Sequence, residues 1–183
     1  MLEKCLIDYC APTLASIKTA NLFNYKIPLY ENIDSLTAAW NQKLNSKGVA
    51  IAVLRNNGDR ALLYVYRPER LKADLERREA FALLRQYGYK SYSIPYAIER
   101  LRQRLAASGE FPHEIGLFLG YPLGDVVGFI ENRGKCCKCC GCWKVYDDVE
   151  EAQRLFREFR RCRDDYAAEF CRGKSVLQLT VAV

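Results

Sequence analysis

The sequence predicts an α+β fold: one helix-rich domain, residues 1–183, around a small, mainly antiparallel sheet with a β-hairpin at about 49–66 in its centre. Three observations predict it. Residues 49–55 and 60–66 are short apolar runs rich in β-branched and aromatic side chains, and Asn56, Asn57, Gly58 and Asp59 between them form a turn signal. Elsewhere apolar residues recur three or four apart between Pro and Gly punctuation, the spacing of amphipathic helices. A chain of 183 residues with 50% hydrophobic side chains can bury a core and is too apolar to stay disordered.

Residues 10–18 read as a helix start, with Cys10 just ahead of it and Pro12 in its first turn. Asp34 or Ser35 caps a second helix that carries Leu36, Trp40 and Leu44 on one face and stops at Gly48. The hairpin follows. It is apolar at nearly every position, so helices must cover both of its faces. Pro68 opens a helix with Leu71, Leu75, Leu83 and Tyr87 inward and Gly88 at its end. Ser93, Ile94 and Pro95 open another, with Ile98, Leu101 and Leu105 inward and Gly109 at its end. Pro112 and Pro122 begin two short helices divided at Gly120 and Tyr121. Residues 143–146 read as a strand. Asp147 or Asp148 caps a long helix whose apolar stripe includes Val149, Ala152, Leu155, Phe159, Cys162 and Tyr166. Residues 175–183 read as a last strand.

Charge is modest and uneven. The chain has 28 Lys and Arg against 22 Asp and Glu, a net +6, and the excess sits at 67–109, with ten basic and five acidic residues. Interspersed Glu69, Asp74, Glu76 and Glu79 make that stretch a solvated helix face. Through Arg77, Arg78 and Arg85 the same face suits an acidic protein partner, which gives one functional alternative: a non-catalytic interaction module. Glu3, Lys4 and Asp8 interrupt any apolar signal core. No apolar stretch reaches the roughly 18 residues of a spanning helix. The expectation is a cytoplasmic protein with no membrane partner, in a compartment that keeps thiols reduced.

Nine cysteines stand out, five of them within residues 136–142. Cys136, Cys137, Cys139, Cys140 and Cys142 form three overlapping C-x-x-C pairs, the spacing at which two thiolates chelate one tetrahedral ion. Gly141 suits such a knuckle by tolerating positive φ, and Lys135, Lys138 and Lys144 offset thiolate charge. These residues point to a soft-metal protein, with zinc or iron as cofactor, acting in metal or redox homeostasis. No second C-x-x-C exists to complete the site, so His113, another cysteine or a second copy of the chain in a homodimer must supply the rest.

A Cys/His enzyme is the other alternative. Cys10 ahead of a helix N-terminus gains thiolate character, Lys18 lies about two turns on, and His113 is the single histidine. His113 would be the base for Cys10, with Glu114 or Tyr121 orienting it. The 114–130 segment has the rhythm of a helix-turn-helix. Its second helix, however, offers Leu123, Gly124, Asp125 and Glu131 where a DNA reader needs Arg, Lys, Asn or Gln, which argues against DNA.

Three blocks carry a family resemblance: residues 10–23 (Cys-Ala-Pro-Thr-Leu-Ala-Ser-Ile-Lys-Thr-Ala-Asn-Leu-Phe), residues 113–122 running on to 128–130, and residues 138–146. On these the sequence resembles the bacterial domain of unknown function 3793 family, found mainly in anaerobic Gram-positive bacteria. The likeness spans nearly the whole chain. It implies a stand-alone cytoplasmic domain and points to Cys10, Lys18, His113, Glu114, Tyr121, Cys139, Gly141, Trp143 and Lys144 as positions to test. This chain departs from the pattern in its extra cysteines in the last block, and in Ser16, where a glycine is expected.

Overall fold

The computed structural model describes residues 1–107 and 111–182, so the helix end expected at Gly109 and the last residue of the expected final strand lie outside the described residues. Helix α1 (Leu2–Leu14) starts upstream of its predicted position, because Leu2, Leu6 and Ile7 already form a buried stripe. Pro12 therefore falls in its last turn and Cys10 in its C-terminal half, reversing the placement expected from the Cys-Ala-Pro motif. The chain turns out of α1 at Ser16, whose φ of 60° lies in the left-handed region, and the amides of Ile17 and Lys18 both donate to Pro12 O. A glycine adopts that φ without the Cβ clash, which explains why one is expected there.

Strand β1 (Ala20–Lys26) follows, an element the sequence reading passed over; Asn21 and Asn24 dilute its β signal. Asn32 caps α2 (Ile33–Leu44), its side chain accepting from the Ser35 amide, so the cap sits just upstream of the predicted Asp34 or Ser35. A 3-10 turn (Asn45–Lys47) ends at Gly48 with φ 71°. The hairpin forms as expected from β2 (Ala50–Asn56) and β3 (Arg60–Tyr66). The sheet is antiparallel in the order β1-β3-β2, so the hairpin's second strand is central, with a bulge between Val53 and Arg55.

Helices cover both faces. Leu62 and Tyr64 point into one layer with α3 (Pro68–Glu76), α4 (Arg78–Gln86), α5 (Ile94–Ala106), α6 (Ile115–Phe118) and α7 (Leu123–Glu131). Ala61, Leu63 and Val65 point into the other, with α1, α2 and α9 (Val176–Leu179), against which Tyr166 and Phe170 of α8 (Val149–Cys171) also pack. The single helix expected from Pro68 to Gly88 breaks at Arg77, which takes an extended ψ of 128°. Its buried pairs, Leu71/Leu75 and Ala80/Leu84, are offset by nine residues, which would turn them about 180° apart on one straight helix. The break lets both pairs meet the same layer.

Residues 175–182 do not form the predicted strand. Ser175 and Gln178 make a reciprocal capping box that opens α9 instead. Arg67 ties this end to the start of the chain. Its buried guanidinium donates to the carbonyls of Thr13, Leu14, Lys47 and Val181 at 2.7–3.2 Å. No helix among the described residues is long and apolar enough to cross a membrane.

Candidate functional site

The cysteine segment is a small hairpin. Strand β4 (Cys139–Cys140) pairs with β5 (Lys144–Val145), so only part of the predicted strand 143–146 is realised. One carboxylate fastens it to the fold. Asp125 of α7 is 2% exposed and accepts from Trp143 Nε1 at 2.6 Å, the Tyr146 amide at 2.7 Å and the Asp147 amide at 2.9 Å. Two glycines on the same helix let the strand approach: a Cβ on Gly128 would lie 2.5 Å from Tyr146 Cβ, and one on Gly124 2.5 Å from Asp147 Oδ2. Gly141 is required for a reason other than positive φ. A Cβ there would stand 2.2 Å from Phe156 of α8.

Seating the hairpin this way walls off an aromatic cleft of about 320 Å³. Tyr121 stacks on Trp143 at 4.9 Å, and Trp143 meets Phe156 edge-on at 4.6 Å. Ile115, Leu119 and Val126 form the inner wall; Phe111, Phe129, Cys140 and Lys144 border it. His113 meets the Phe129 ring edge-on at 5.0 Å. A second cavity shares Phe111, His113 and Phe129 and adds Tyr87, Arg104 and Arg133. The two together offer an apolar chamber with a cationic annex.

The predicted site residues divide between different places. His113 and Tyr121 border the cleft. Glu114 does not orient His113. It is fully buried and turned to Arg104, whose Nε donates to it at 2.8 Å, with Tyr89 at 3.5 Å. Cys10 lines neither cavity. It belongs to the core layer on the opposite face of the sheet from Ile115 and Leu119, and burial pushes its thiol well above the usual range. The activation expected from a helix N-terminus is absent, because Cys10 sits near the end of α1, where the dipole disfavours a thiolate. The Cys10–His113 nucleophile and base pair is therefore not assembled.

Three of the five clustered thiols face different surroundings. Alternation along β4 sends Cys139 into the small core of Trp143, Val145 and Phe159, while Cys140 faces the cleft. Cys142 borders a third cavity beside Lys18. All nine cysteines are free, and among the described residues no three His, Cys, Asp or Glu side chains converge as a metal site requires. Cys162, expected in the core, is half-buried on α8, and burial pushes its thiol up to about 11.

Lys18, singled out in the sequence, is buried. It is 6% exposed, and its Nζ donates to Leu119 O at 2.8 Å and to Ala20 O. Burial, partly offset by the Cys10 and Cys142 thiols, holds its ammonium down to about 7. The Tyr121 ring lies 5.2 Å from it, and burial pushes the Tyr121 phenol up to about 12.

A family model described as Protein of unknown function (DUF3793) matches residues 6–180. The chain belongs to that family. Searches of curated proteins and of solved structures each gave no match. The family blocks now have physical meanings. Residues 10–23 hold the Ser16 turn and deliver Lys18; residues 113–130 build the cleft and carry Asp125; residues 138–146 are the hairpin that Asp125 holds. Asp125 and Arg67 are the residues that reading the sequence missed. A lone carboxylate among Leu123, Val126, Val127 and Phe129 is the signal for the first.

Four of the ten basic side chains in 67–109 are engaged within the fold. Arg67, Arg100 and Arg102 donate to backbone carbonyls, and Arg104 pairs with Glu114. Arg77, Arg78 and Arg85 remain exposed, with Arg77 bridged to Asp74.

Proposed function

We propose that this protein binds a small amphipathic molecule, a planar apolar body with an anionic group, in the aromatic cleft under the cysteine hairpin. The observation that carries the reading is the juxtaposition of an apolar chamber of about 320 Å³ with a cavity bordered by Arg104 and Arg133. Small-molecule sites combine such an apolar volume with a few placed polar groups. The ring stack of Tyr121 and Trp143 offers a face to a planar body. Arg104 already serves Glu114, so Arg133 is the cation for the anionic group. Cys140 on the wall gives the bound molecule a reduced thiol as neighbour.

The test uses two fluorescent probes on the intact chain: the anionic anilinonaphthalenesulfonate and its neutral relative N-phenylnaphthylamine. Saturable one-to-one binding of both is expected. Cys140→Trp should block both by filling the wall. Arg133→Glu should weaken the anion alone by about tenfold, the value of one ionic contact. Equal loss of both probes with Arg133→Glu, or binding unaffected by Cys140→Trp, overturns the reading.

A soft-metal role for Cys136, Cys137, Cys139, Cys140 and Cys142 has one observation in its favour. Cys136, Cys137 and Cys140 all bear electrostatically on the Tyr146 hydroxyl. The thiols as placed do not form a zinc or iron site within one chain, so such a role requires the hairpin to re-form around the ion or a second copy of the chain to supply ligands. Anaerobic purification without a histidine tag, followed by metal analysis, decides it: near-stoichiometric zinc or iron supports it, and fully titratable thiols with only traces of metal exclude it.

A further inference from the structure

Lys18 lines a cavity of about 210 Å³ that is separate from the aromatic cleft, with Tyr121 the one residue bordering both. Asn21, Cys142 and Arg163 are among its other walls. A neutral amine has two N–H bonds and one lone pair. The Nζ of Lys18 donates to the carbonyls of Leu119 and Ala20, and the side chain borders the cavity. The titratable groups acting on the amine are the thiols of Cys10 and Cys142, and neither supplies the carboxylate that would hold it as ammonium. A buried lysine in that setting is a nucleophile near neutral pH. Arg163 is exposed at the cavity and brings positive charge to it.

We propose that Lys18 is a carbonyl-capture site, condensing with a small aldehyde or ketone that carries an anionic group held by Arg163. The Nζ lone pair adds to the carbonyl carbon while the C=O π pair moves to oxygen. One N–H proton passes to that oxygen. The nitrogen lone pair then forms the C=N bond as the C–O bond breaks. The second N–H proton leaves with the hydroxyl as water, so both amine hydrogens and the carbonyl oxygen end in one water molecule. No oxidant or metal is consumed.

The experiment treats the full chain with limiting glyoxylate and cyanoborohydride at pH 7.5 and maps carboxymethylated lysines by mass spectrometry. Lys18 is expected to label at least about tenfold faster than Lys26 and Lys90, which are exposed to solvent. Arg163→Glu should slow labelling of Lys18 by glyoxylate by about tenfold and leave labelling by the neutral glycolaldehyde unchanged. Cys142→Ser should label as the parent does. Labelling of Lys18 no faster than of Lys26 overturns the proposal. Loss of Lys18 labelling in Cys142→Ser also overturns it, because capture would then depend on the thiol and not on the amine alone. These outcomes are independent of probe binding in the aromatic cleft.

Discussion

Replacing Lys18 by Met should remove a pH dependence of folding stability that is otherwise present between pH 7 and 8.5. In the native protein burial holds the amine down to about 7, whereas in the unfolded chain it returns to 10.5. Between those values the unfolded state binds the extra proton, so stability rises with pH and is depressed below pH 7. The slope approaches 1.36 kcal/mol per pH unit. Integrated from pH 7 to 8.5 the gain is on the order of 1.5 kcal/mol. With a urea m-value of about 2 kcal/mol/M for a chain of this size, the midpoint should move up by roughly 0.7 M. The raised thiols of Cys5, Cys10 and Cys162 act in the opposite direction, but only as pH nears 9, and they are common to both proteins. The assay is urea unfolding of parent and Lys18→Met under reductant at half-unit pH steps. A flat parent profile, or the same slope in Lys18→Met, refutes the reasoning.

Three further outcomes follow from the geometry. Asp125→Ala strips the acceptor from three donors in 143–147 and should cost about 3–5 kcal/mol, read by the unfolding midpoint and by faster hydrogen exchange at the Tyr146 and Asp147 amides. Ser16→Gly should stabilise the protein by about 0.5–1 kcal/mol, and Ser16→Val should destabilise it by more, because φ is 60° there; thermal melts check both. In thiol titration of the native protein, exposed Cys136, Cys140 and Cys142 should react at once and Cys10 only after unfolding, since its thiol is fully buried and held protonated.

The hairpin at 49–66 was legible because its signals are local: two apolar runs and an Asn-Asn-Gly-Asp turn. The long helix after Asp148 was legible for the same reason, its stripe being regular and its cap adjacent. Strand β1 was not, since what makes Ala20–Lys26 a strand is pairing with β3, about forty residues away. Residues 175–182 mislead in the other direction. Their β-branched composition suggests a strand, while the Ser175–Gln178 capping box sets a helix turn. Cys10 shows how a motif can be misread. A proline reads as a helix start, and only the upstream stripe of Leu2, Leu6 and Ile7 reveals that it closes the helix.

The site was legible in parts. Lys18, Tyr121, His113 and the cysteine segment were each singled out, yet their grouping depends on contacts between distant segments. The C-x-x-C spacing is compatible with a chelate, but strand alternation over Cys139 and Cys140 sends neighbouring thiols to opposite sides. Glu114 looked like a partner for His113 because it is adjacent in sequence. Arg104, on the preceding helix, claims it instead.

The central claim is that the cleft under the cysteine hairpin is the binding site. The protein has two tryptophans, and only Trp143 borders that cleft; Trp40 packs on α2 against the other core layer. An ¹⁵N–¹H titration with anilinonaphthalenesulfonate therefore reads the claim from two indole signals. The account predicts that the Trp143 Nε1–H resonance shifts and saturates at one equivalent while Trp40 stays fixed. Movement of both together, or of neither, would contradict it.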